Sequence, residues 1–174
     1  MNLVQIEQAD GRLLESVAAA MRQAARLSGN WLACRPGCHQ CCLGSFDITP
    51  LDELRLRRGM RELERADPAR AAAVRARAAE HREGDDEPCP VLDPSTGLCD
   101  LYEWRPMTCR VFGPATVTAE GAVAACELCY EGATEAQIAA CAVEVDGEGV
   151  EQMLIEELAA SPGLCGSTIA SIVM

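Results

Sequence analysis

Residues 34–42 read Cys34-Arg35-Pro36-Gly37-Cys38-His39-Gln40-Cys41-Cys42, four cysteines within nine residues of a Pro-Gly turn. Thiolates bind soft or borderline metals, and donors two to four residues apart on a turn reach one ion without straining the backbone. Pro36, Gly37 and Gly44 predict a tight knuckle rather than a regular element, so these cysteines are expected on a loop. Five more follow, at Cys89, Cys99, Cys109 and the pair Cys126-x2-Cys129. Such a set rarely arises for packing alone and reads as a metal centre.

Adjacent residues of extended backbone project to opposite sides, so Cys41 and Cys42 are placed to serve two ions or one polynuclear cluster. Two closed four-cysteine sites need eight donors. Cys34, Cys38, Cys41, Cys42, Cys89, Cys99 and Cys109, with either Cys126 or Cys129, supply them. The last two of the eleven cysteines, Cys141 and Cys165, lie in apolar runs and read as small buried hydrophobes. His39 reads first as an exposed loop histidine and second as a ligand or polar donor to the centre; His81 reads as a helix-end charge. Arg35, Arg105 and Arg110 flank the cysteines. Their guanidinium groups would offset the negative charge of a thiolate-bound centre, which places them beside the cofactor. Tyr102 and Trp104 read as the lid of a small core.

Around this centre the chain reads as mostly helical. Leu3, Ile6, Leu13, Leu14, Val17 and Met21 recur near helical spacing over residues 3–28, with a break or bend expected near Gly11 and a stop at Ser28-Gly29-Asn30. Thr49-Pro50 and Asp67-Pro68 each supply an N-cap with proline at the first helical position, opening two consecutive helices. The acidic stretch 84–88 is a connection. CPVLD and LCDLY, separated by Pro94-Ser95-Thr96-Gly97, predict a β-hairpin with Cys89 and Cys99 on opposite arms. Met107 to Arg110 suits a short helical turn, and 113–130 is too broken by glycine to assign. Thr134 opens a capping box, and a final helix is expected to run through Ala160. The apolar tail 164–174 fits either a terminal strand or self-association.

Composition narrows the function classes. With 174 residues, 49% hydrophobic and 24% charged, the chain is an ordinary globular domain in size, yet aromatics are only 3%. All 15 basic residues are Arg, and the net charge of -12 argues against nucleic acid as a partner. The Arg run from Arg55 to Arg82 reads as a solvated helical face. No membrane span is expected, since no segment approaches ~18 consecutive apolar residues. The N-terminal residues lack the basic and apolar regions of a secretory signal, so a cytoplasmic protein with reduced thiols is expected. No Ser-His-Asp arrangement, phosphate loop or H-E-x-x-H motif is present. The spacing Cys34-x3-Cys38-x2-Cys41 matches the radical SAM signature, but the barrel's strand–helix alternation is missing and Cys42 follows directly.

With CRPGCHQCC at 34–42, PCPVLDPSTGLCDLYEWRPMTCR at 88–110 and a later cysteine at 126 or 129, the chain resembles the zinc- or iron-chelating cysteine-cluster family, also called the YkgJ type. The resemblance spans roughly residues 34–130 and implies a small metal-binding domain holding zinc or an iron-sulfur cluster. The expected architecture is therefore a mainly α single domain with a small β-hairpin, cysteine-rich and stapled by metal. Residues 1–33 form an N-terminal helical segment, 34–130 the cysteine-cluster domain with an inserted helical pair at 49–83, and 131–174 a C-terminal helical segment and tail. The expected function is metal binding with a structural, electron-transfer or metal-handling role, the alternative being an iron-sulfur oxidoreductase. The expected partners are the metal ion or cluster and an unidentified redox or protein partner.

Overall fold

The computed structural model describes residues 1–44, 48–82, 84, 87–118, 120–159 and 168–174; Phe46, Ala160 and Cys165 lie outside them. The domain is mainly helical with small sheets, and its residues group into two compact units, 1–35 with 110–157 and 36–109 with 158–174. No described helix is long and apolar enough to cross a membrane.

The first unit is built on α1 (Leu3–Ser28), whose side chains Ile6, Ala9, Leu13, Val17 and Ala24 are buried along one stripe. Asn2 and Gln5 form a capping box at its start. The break expected near Gly11 is absent. The burial of Ile6, Leu13 and Val17 on either side outweighs the roughly 1 kcal/mol by which an interior glycine disfavours a helix. The stretch 113–130 resolves into β3 (Thr116–Val117) and β4 (Val123–Ala124), which are antiparallel, and β5 (Val143–Glu144) joins β3 in parallel. Helix α5 (Glu135–Cys141) starts at the expected Thr134–Gln137 capping box and packs on α1. Asp146, in the left-handed region at φ 58°, accepts the Val150 and Glu151 N–H groups at the start of α6 (Val150–Ala159).

The second unit centres on α2 (Pro50–Ala66), α3 (Pro68–Glu80) and α7 (Ile169–Val173), which pack against one another. The Thr49 and Asp67 caps form as expected. Leu56, Met60, Ala71, Val74, Ala78, Ile169, Ala170 and Val173 form a buried core with Val91 and Leu101. The end of the apolar tail is thus a short helix buried in this core, where a strand or a self-association surface was expected. Seven residues suffice for a helical turn closed by the Thr168 cap, and its apolar side chains find partners on α2 and α3. The predicted hairpin forms as β1 (Leu92–Asp93) and β2 (Leu98–Cys99), with Leu92 opposite Cys99. Asp93 closes its turn by accepting from the Ser95 N–H, Ser95 Oγ and Thr96 Oγ1, which holds its carboxyl low, at about 2. A short α4 (Met107–Val111) follows.

The Arg run is only partly a solvated face. Arg55 is buried and paired with buried Asp52 (Nη1 to Oδ1, 2.7 Å), and Arg70 and Arg77 reach inward to Asp100. Arg75 pairs with Glu64 on the surface, as a solvated face would.

Candidate metal centre

The knuckle is positioned by backbone pairing. After the turn at Gly37, which sits at φ 86°, residues Gln40–Cys42 form one 3-10 turn closed by the Cys42 N–H donating to the His39 carbonyl (2.8 Å). The chain then runs beside the segment before the hairpin. Leu43 bridges Pro88, the Cys89 N–H donates to the Cys42 carbonyl (2.7 Å), and the Gly44 N–H donates to the Glu87 carbonyl (2.9 Å). The connection at 84–88 is therefore, at Glu87 and Pro88, part of the site's scaffold. These bonds bring Cys42 and Cys89 side by side, and the hairpin adds Cys99. At the hairpin turn Gly97, at φ 69°, faces the knuckle, and a Cβ there would meet the Gly37 carbonyl at 3.4 Å and His39 Nδ1 at 3.7 Å.

Cys109 arrives by a different route. Thr49 and Asp52 cap α2 reciprocally, and Asp52 Oδ1 also accepts the Met107 N–H (2.9 Å) at the start of α4. One buried carboxylate thus ties the first turn of α2 to the helix that presents Cys109. Trp104, stacked under Arg58 at 4.7 Å, approaches so close to Gly59 that any side chain there would overlap its ring.

Cys41, Cys42, Cys89, Cys99 and Cys109 polarise one another. The Cys42 thiol donates to Cys41 and holds it well below the usual thiol range against the opposing effect of burial; the Arg105 and His39 charges add to the lowering. The same hydrogen bond, burial, and the sulfurs of Cys41, Cys89 and Cys99 push Cys42 up. Burial pushes Cys89 up to about 12, helped by Cys99 and Cys41 and opposed by Arg77. Burial also raises Cys99, with Arg105 opposing and Asp100 adding to the rise. Cys109 is pushed to about 12 by burial and by Cys89, Cys41, Cys99 and Asp52. Five thiols from four chain segments share one neighbourhood at the edge of the second unit's core. Among the described residues no three of them close into a cage for an ion.

The expectation that Cys41 and Cys42 face opposite ways fails. The 3-10 backbone of Gln40–Cys42 turns adjacent side chains by about 120°, and here that leaves the Cys42 thiol donating to Cys41. Cys38 is half-buried at the knuckle turn, and His39 is exposed with Nδ1 at 3.1 Å from the Gly37 carbonyl. Arg105 sits beside Cys41 and Cys99, held over the Tyr102 ring at 3.8 Å with Nη1 donating to the Tyr102 carbonyl (2.6 Å).

Cys34, Cys126 and Cys129 belong to the first unit, as do exposed Arg35 and half-buried Arg110. Cys34 Sγ lies where a Cβ on Gly113 would stand, and the Cys126 N–H donates to the Gly113 carbonyl (3.0 Å). Cys126 and Cys129 are buried with Ala115, Tyr130 and Cys141. Tyr130, at φ 64°, is pinned through its hydroxyl, which is 2.5 Å from Ser28 Oγ and accepts the Ala115 N–H (2.8 Å). Cys141 is a buried thiol donating to the Leu27 carbonyl (3.3 Å), a packing role as expected. The ten described cysteines form no disulfide with one another.

Sequence reasoning missed Asp52, Arg77 and Asp100. A weak sign of the first was its place three residues after the Thr49 cap; the other two appear only when α3 meets the hairpin.

A family model, CxxCxxCC, described as a proposed zinc- or iron-chelating domain, matches residues 33–141. No curated protein and no solved structure matches the chain. The first spacing here, Cys34-x3-Cys38, is one residue longer than the CxxC of that name.

Proposed function

The chain belongs to this zinc- or iron-chelating family, and from that premise we propose that Cys38, Cys41, Cys42, Cys89, Cys99 and Cys109 hold the metal. The donor set fits the ion chemically, being all sulfur, with Cys42 paired beside Cys89, Cys99 on the adjoining hairpin and the guanidinium of Arg105 beside Cys41 and Cys99. Bound metal would supply a charge that favours thiolates over the thiols that burial now maintains. Cys34 Sγ and the Cys126 backbone both approach Gly113, and with Cys129 one turn on they are the proposed remaining donors, with Arg35 and Arg110 offsetting their charge. The observation that carries this reading is the backbone pairing that sets Cys42 beside Cys89 and the hairpin that brings Cys99 to them, within the stretch 33–141 that matches the family. An all-sulfur zinc site would be structural, whereas an iron-sulfur cluster in the same donors would transfer electrons. Anaerobic purification followed by metal and labile-sulfide analysis separates the two. Brown protein with iron and sulfide supports the cluster; colourless protein with stoichiometric zinc supports the closed site. Protein that contains neither and binds neither on reconstitution overturns the proposal.

A further inference from the structure

Helix α3 places Arg70, Ala71, Val74, Arg77 and Ala78 on one face, the spacing at which helical side chains align. The three apolar members are buried in the core, while the two arginines reach past it to Asp100. The Asp100 carboxylate is only 1% exposed and accepts from Arg70 Nε and Arg77 Nη2, each at 2.5 Å. Arg77 makes a further bond, Nε donating to the Pro90 carbonyl at 2.8 Å. Pro90 follows Cys89 and Asp100 follows Cys99, and the Asp100 N–H donates to the Val91 carbonyl (2.8 Å). One guanidinium therefore bonds to the chain neighbour of each of two thiols that reach the centre from opposite sides of the hairpin.

We propose that Arg77 is a positioning residue that sets the separation and direction of Cys89 and Cys99, with Asp100 as its anchor and Arg70 orienting that anchor. The geometry requires a planar fork: Nε and Nη2 serve different acceptors at once, which the ammonium of lysine cannot do in the same directions. Exposed Arg75 lies on the same helix but pairs with Glu64 of α2 instead of with either thiol's neighbour, so it serves as the control.

This inference rests on the proposed metal site for its consequence but not for its test. In the metal-free protein, alkylation by iodoacetamide read cysteine by cysteine in a mass spectrometer reports how well each thiol is held. Arg77→Gln and the milder Arg77→Lys are expected to speed alkylation of Cys89 and Cys99 by about tenfold or more, leaving Cys126 and Cys141 unchanged; Arg75→Gln should change none. Unaltered rates at Cys89 and Cys99 in both Arg77 variants overturn the proposal, as does a uniform rise at all cysteines in Arg77→Lys. In the second arm, cobalt(II) titration of Arg77→Lys should show binding weakened by about 10–100-fold, with a shifted thiolate-to-cobalt spectrum; wild-type affinity and spectrum also overturn it. Should wild-type protein bind no cobalt, zinc or iron, the metal proposal fails, while the alkylation result still decides the role of Arg77.

Discussion

Burial and neighbouring sulfurs hold Cys89 and Cys109 near 12 in the folded protein, against 9.0 for an ordinary thiol. Metal must displace those protons, so apparent zinc affinity should fall as pH is lowered across the neutral range, measured by chelator competition. The same shifts act on the metal-free fold. Between pH 9 and 12 the unfolded chain has released from these two thiols protons that the folded chain keeps, so their contribution to stability is fully present below 9 and declines above it. Chemical denaturation at increasing pH should show the midpoint dropping over that window, and a flat profile would contradict the burial of these thiols. Cys109→Ser is expected to lower bound metal. Cys141→Ser should leave metal content intact, because Cys141 donates to the Leu27 carbonyl and is packed with Ala115 and Tyr130 in the first unit's core. The proposed division of the cysteines into donors and packing residues rests partly on the chain itself: the knuckle spacing suggests the first group and the apolar run around Cys141 the second. The polarisation of Cys41 by Cys42 was not readable there, since it depends on a 3-10 turn where extended backbone was expected.

Among the elements, α2 and α4 depend on one carboxylate. Asp52→Asn keeps the shape but removes a charge to which Arg55 bonds inside the protein, and a hydrogen bond to a charged group is worth about 1.5–3 kcal/mol. Thermal melting should show a corresponding loss. In α1 the reverse change is available. Gly11 is exposed and helical, and an added Cβ would meet nothing within 4 Å, so Gly11→Ala should stabilise the protein by about 0.5–1 kcal/mol. Helix starts were the most legible feature, since Thr49-Pro50, Asp67-Pro68 and Thr134 act through bonds within four residues of themselves. The two-residue strands β3, β4 and β5 were not legible, because so short a strand has no periodicity of its own and is defined by its partner.

For the molecule as a whole, the second unit's core includes Cys89 and is flanked by Cys42 and Cys99, but most of it is Leu56, Met60, Val74, Leu101 and Val173, none of them a proposed donor. Metal-free protein is therefore expected to keep most of its helical circular dichroism, unlike small zinc peptides that unfold without their ion, and loading should raise the melting temperature through binding to the folded state alone. Loss of most of the helical signal on chelation would instead make the metal a staple. From the amino-acid sequence alone came the mainly helical class, the helix caps, the hairpin and the identity of a cysteine-rich metal-chelating domain, all of which depend on residues close together along the chain. Which thiols gather, that Asp52 holds the helix of Cys109, and that Arg77 spans Cys89 and Cys99 depended on contacts between segments tens of residues apart. Those contacts are selected by core packing, which leaves no local periodic mark to read.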